Sequence, residues 1–98
     1  MWTGTCELDV LLGDVHSLKQ KRSVVRPLVA EIRRKFDVSV AEVAHRDLHR
    51  RTMIGVSVVS GDREHVVEVL DAVERLVASR PEVQLLSTRP RYISSEDY

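Results

Sequence analysis

Trp2, Gly4, Cys6, Leu8, Val10 and Leu12 alternate with Thr3, Thr5, Glu7 and Asp9. A period of two marks a β-strand with one dry face and one wet face. Such a strand needs neighbours along its edges and a layer over its dry face. The rest of the chain offers both. After the break at Gly13-Asp14 the period changes to 3.6, with Leu18, Val25, Leu28, Val29, Ile32 and Phe36 on one stripe.

Ser17-Leu18-Lys19-Gln20 reads as a capping box that opens this first helix. Pro27 falls inside it, opposite the apolar stripe. Either the helix bends gently around it on the solvent side, or the regular helix starts later with Ser23 as N-cap. Strands are expected at about 38–44 and 52–60, joined by the polar connection His45 to Arg51. A second helix over about 63–79 has Asp62 as N-cap and buries Val66, Val69, Leu70, Val73, Leu76 and Val77. Pro81 stops it. A last strand spans about 82–88, Pro90 ends regular pairing, and the polar residues beyond read as a frayed tail.

The order β-α-β-β-α-β is the ferredoxin-like, split βαβ pattern of an α+β domain. It predicts a four-stranded antiparallel sheet with both helices on one face and the first and third strands central. At 98 residues there is room for one domain, placed at 1–90, with 91–98 as its tail. The uncovered sheet face is expected to carry Thr3, Thr5, Glu7, Ser39, Ala41, Met53, Gly55, Ser57, Val59, Gln84 and Leu86.

Composition narrows the function classes. The chain is 43% hydrophobic and 31% charged, too apolar for a disordered segment. A lone cysteine, Cys6, leaves no disulfide framework and reads as a small core residue. No signal-like or membrane-spanning apolar run is present, so a cytoplasmic setting without membrane contact is expected.

Known chemistries of this scaffold find little support. The third strand, Thr52-Met53-Ile54-Gly55-Val56-Ser57-Val58-Val59, has no aromatic for base stacking. The loop after the first strand lacks the paired thiolates a soft metal needs, and His45 and His49 supply too few zinc ligands. That loop also lacks the glycines or arginine of an anion cradle, although Asp14-His16-Ser17 would be the place for an enzyme's catalytic groups. No catalytic residue, cofactor or metal is therefore assigned.

Charge placement is more informative. Lys and Arg number 15, as do Asp and Glu. The first helix nevertheless carries Lys19, Lys21, Arg22, Arg26, Arg33, Arg34 and Lys35 against Glu31. From Asp62 to Glu82, around the second helix, the chain carries Asp62, Glu64, Glu68, Asp71, Glu74 and Glu82 against Arg63, Arg75 and Arg80. Lys19, Arg22, Arg26 and Arg33 share one flank, and Arg46, Arg50 and Arg51 form a second basic cluster. The two helices would either neutralise one another or leave the basic flank open to phosphates.

Several segments point to a family. His16-Ser17-Leu18-Lys19-Gln20-Lys21-Arg22 and Phe36-Asp37-Val38-Ser39-Val40-Ala41-Glu42-Val43 resemble its two longest motifs. Asp47-Leu48, Gly55 to Ser60 and Asp62-Arg63 fit as well. Together they resemble the small bacterial YlxP-like family, a domain of unknown function, over about residues 2–89. The resemblance implies a ferredoxin-like fold and a gene among translation genes, near those of transcription factor NusA, initiation factor two and ribosome-binding factor A. It brings no activity, cofactor or catalytic residue. Departures are His49, where members commonly carry Trp, Asp37 in place of Asn, and Pro27 in a helix usually free of proline.

The expectation is a non-enzymatic accessory protein that touches rRNA or a ribosomal subunit. Lys19, Lys21, Arg22, Arg26 and Arg33 would meet phosphates, helped by Arg46, Arg50 and Arg51. His16 and Ser17 would hold the helix start and one phosphate. The alternative is a homodimeric interaction module that uses Met53, Val59, Leu86 and the sheet edges.

Overall fold

The computed structural model describes residues 1–97. Six main elements follow in order: β1 (Trp2–Leu12), α1 (Leu18–Lys35), β2 (Ser39–Ala44), β3 (Arg51–Ser60), α2 (Arg63–Ala78) and β4 (Val83–Ser94). A short 3-10 turn, Ser95–Asp97, follows β4. The sheet order is β2-β3-β1-β4 with every pairing antiparallel, which is the ferredoxin-like arrangement.

The alternation read along β1 is the alternation of burial. Cys6, Leu8, Val10 and Leu12 are buried beneath the helices with Ile54, Val56 and Val58 of β3. Leu28 and Ile32 of α1 and Val66, Leu70, Val73 and Val77 of α2 close the core from above. Gly4 of β1 lies directly beneath Val66 and Leu70 of α2. A Cβ there would overlap Val66 Cγ1 and come within 2.9 Å of Leu70 Cδ1. A side chain at this position would push the helix off the sheet.

Helix α1 begins at the Ser17 cap. Ser17 Oγ accepts from the Gln20 N–H at 3.1 Å, and Gln20 Oε1 accepts from the His16 N–H at 2.6 Å. The reciprocal cap therefore reaches one residue further back than a standard capping box. Of the two readings of Pro27, the continuous helix is correct. Pro27 and Ser23 both face solvent, where water can take up the carbonyl that proline leaves unpaired. Ser23 is no cap; its Oγ donates to the Gln20 carbonyl at 2.6 Å.

Residues 91–94 are not a frayed tail, because β4 runs through Pro90 to Ser94. Pro90 stands opposite Cys6, and pairing continues to Trp2 and Ser94. β4 is an edge strand with one neighbour, so a missing N–H need not break the ladder. The Ser95 N–H donates to the Met1 carbonyl at 2.8 Å and ties the end down. A register shift between Asp9 and Val10 makes Leu86 the extra residue of a β-bulge. The longer strand adds Arg89 opposite Glu7 and Arg91 opposite Thr5 to the uncovered face.

Candidate nucleic-acid interface

The basic residues of α1 have different fates because they stand at different angles around the helix. At ~100° per residue, Lys21 falls between Leu28 and Ile32, within the apolar stripe. Its side chain is only 4% exposed. The ammonium has three partners: Glu42 Oε2 at 2.9 Å, the His45 carbonyl at 2.7 Å and the Arg46 carbonyl at 3.4 Å. Glu42 Oε2 also accepts from Thr52 Oγ1 at 2.5 Å, and Thr52 is fully buried. An enclosed ammonium needs such a set, since leaving it unpaired would cost far more than the pair contributes. Lys21 is thus not a surface cation, contrary to the expectation from sequence.

The same contacts shape the connection between β2 and β3. His45 has φ 60, left-handed and uncommon for a residue with a Cβ. Its carbonyl is held by Lys21 and by the Leu48 N–H at 3.1 Å. Its ring stands 3.9 Å from Asp9 Oδ1.

Arg50 and Arg51 also serve the fold rather than the expected cluster. Arg50 Nε donates to the Gly13 carbonyl at 2.9 Å. Arg51 belongs to β3 and forms a two-pronged pair with Asp9, at 3.1 and 2.6 Å. The sequence reading placed both in a free polar loop.

Lys19, Arg22, Arg26 and Arg46 remain exposed and make no ion pair among the described residues. Arg33 is exposed as well, with one amino group donating to the Val40 carbonyl at 3.0 Å. Arg22, Arg26 and Arg33 line a groove between α1 and the connection, facing Arg46 and Asp47. Leu18, Val25 and Val29 supply its apolar lining, and Lys21 and Glu42 lie in its base. Its volume is about 790 Å³. Lys19 continues the basic flank on the shoulder that it shares with Arg22, Ser23, Arg26 and Pro27.

Among the described residues, no acid of α2 pairs with this flank. The link from the α2 side runs the other way: Arg80, just after α2, pairs with Glu31 of α1. Within α1, Glu31 Oε2 also lies 3.9 Å from Arg34 Nη2.

The helix start offers less. Ser17 Oγ already caps α1, and His16 Nε2 lies 2.5 Å from Asp14 Oδ1 on the open surface. Asp14 sets a negative charge beside the place where an anion would bind. Burial pushes the Cys6 thiol above its ordinary range, so it stays protonated at neutral pH. Among the described residues, no three of His, Cys, Asp and Glu gather in a way that could hold a metal ion.

On the uncovered sheet face, Val43, 52% exposed, lies over Gly55 beside Ala41 and Ala44, bordered by Thr5, Glu7, Ser39 and Ser57. Val59, 61% exposed, lies in the row of Thr3 and Ile93. Met53 is opposite Asp9 at the other end, and Leu86 sits at the bulge, 42% exposed. The Asp9–Arg51 pair stands among them. Sequence reading also missed Arg63, whose guanidinium lies 5.7 Å from the Trp2 ring centroid and 5.1 Å from that of Tyr92. Tyr92 fell in the expected tail, so its pairing opposite Gly4 was hidden. No helix among the described residues is long and apolar enough to cross a membrane.

Comparison with known proteins agrees with this geometry only at the level of family. The family described as "Protein of unknown function (DUF503)" matches residues 3–90. A relative from Bacillus subtilis (strain 168), "Uncharacterized protein YlxP", is 32% identical over 89 residues, covering 91% of this chain and 97% of its own. The two segments that suggested a family, 16–22 and 36–43, meet at the Lys21–Glu42 pair. The chain is a member of the DUF503 family of YlxP-like proteins.

Proposed function

We propose that this protein is a non-enzymatic accessory factor that binds RNA, in the setting of the ribosome, through the basic flank of α1. The observation that carries the reading is that Lys19, Arg22, Arg26 and Arg46 are exposed and have no ion-pair partner among the described residues. Their neighbours on the same surface include Arg33, aliphatic groups and the acids Asp47 and Glu42, the latter paired with Lys21, while none of the α2 acids lines the groove. Arginine forks suit phosphate oxygens, and such contacts orient a protein on RNA without reading its bases.

Gradient co-sedimentation with ribosomes, at low and high salt and with or without RNase, tests this. The charge-reversed variant is Arg22→Glu, Arg26→Glu and Arg46→Glu; Lys21 is left intact because it supports the fold. Salt-sensitive comigration lost in the variant is expected, since each phosphate contact made on binding releases condensed counterions. Comigration that the reversal leaves unchanged, or its complete lack at low salt, overturns the proposal.

A further inference from the structure

The groove beside α1 has an apolar strip and two basic rims. Leu18, Val25 and Val29 make its aliphatic lining above the Lys21–Glu42 pair. Arg22 and Arg26 stand on the helix side, and Arg46 faces them from the connection. Lys21 ties the two sides together at the bottom, because its ammonium reaches from α1 to the His45 carbonyl at 2.7 Å. A duplex carries its backbones on the outside of a wide cylinder and would rest only on the rims. A single strand can lie along the groove, with phosphates turned to the arginines and sugar and base faces on the aliphatic lining.

Asp47 makes the occupant more specific. It is exposed, lines the groove, and has no side-chain hydrogen bond or ion pair among the described residues. A carboxylate repels phosphate, so in a cleft for phosphates alone it only weakens binding. It becomes favourable when the ligand brings a donor to it. The ribose 2′-hydroxyl is such a donor, and it is what separates RNA from DNA. An acidic peptide would set its own carboxylates against Asp47.

Resting on the RNA-binding reading above, we infer that the groove takes one strand of RNA, with Arg22, Arg26 and Arg46 on phosphates and Asp47 accepting from a ribose 2′-hydroxyl.

Fluorescence anisotropy with the full chain tests this. The probes are labelled oligouridine, oligodeoxyuridine of equal length, an RNA duplex and oligoglutamate. Oligouridine should bind about tenfold tighter than oligodeoxyuridine, the worth of one charge-assisted hydrogen bond. It should also bind more tightly than the duplex. Asp47→Ala should bring the ribose-to-deoxyribose ratio close to one, and Asp47→Asn, which keeps an acceptor but loses the charge, should leave an intermediate ratio of about threefold. Circular dichroism checks that both variants are folded. Tighter binding of duplex or oligoglutamate, or an unchanged ratio in Asp47→Ala, overturns this inference. Failure of every nucleic acid to bind overturns the RNA-binding reading itself.

Discussion

Lys21 Nζ lies 2.9 Å from Glu42 Oε2, and the pair joins α1 to β2 beneath the groove. It also bridges the two stretches of chain that most resemble the family. The pair has a cost, since both charges leave water, but the Thr52 hydroxyl and two carbonyls complete its hydrogen bonding.

Lys21→Met should therefore destabilise the protein by about 3–5 kcal/mol, because Glu42 would be left without its cation. Adding Glu42→Gln should recover part of the loss, since no uncompensated charge then remains. Urea unfolding of both variants checks this. A change below ~1 kcal/mol in Lys21→Met would show that the pair is not structural.

Gly4→Ala should cost about 1–3 kcal/mol by overpacking, although the added group is a single methyl. The site is closed by Val66 and Leu70 of α2. Gly61 has open space around its absent Cβ and a negative φ, so Gly61→Ala should be close to neutral or slightly stabilising. Comparing the two unfolding midpoints separates crowding from backbone effects.

Pro27→Ala should raise stability by roughly 1–3 kcal/mol. The substitution restores an N–H within α1 and relieves proline's helix penalty, less what proline gains by stiffening the unfolded chain. An increase in the thermal midpoint with unchanged circular dichroism is the expected result.

The protein should lose stability in alkali. Burial raises the Cys6 thiol and the Tyr92 hydroxyl above their ordinary ranges, with Asp71 adding to the effect at Tyr92. Above those ordinary values the unfolded chain loses these protons while the folded chain still holds them. The folded state then binds more protons, so stability is full below the ordinary thiol range and falls as pH rises through it. Cys6→Ala should flatten the thiol part of that decline in unfolding free energy measured from neutral pH upward.

Local periodicity was enough to place β1, α1, β3 and α2, because each element's apolar spacing is set by its own backbone geometry, and the succession of elements with right-handed crossovers then ordered the sheet. Ser17 and Asp62 were legible as caps for the same reason: capping is a local hydrogen bond. The length of β4 was not legible. Its edge position followed from the expected sheet order and makes Pro90 tolerable, but that pairing continues past Pro90 rests on the partners Trp2 to Thr5, which are distant in sequence. In the candidate site, helical angle correctly grouped Lys19, Arg22 and Arg26, and applied to Lys21 it would have shown that residue within the buried stripe. The roles of Arg50 and Arg51 had no local signal. Their partners, Gly13 and Asp9, are distant in sequence and come near only when β1 and β3 pair. Charge can be counted along a chain, but which charges remain free depends on the partners that folding brings within reach.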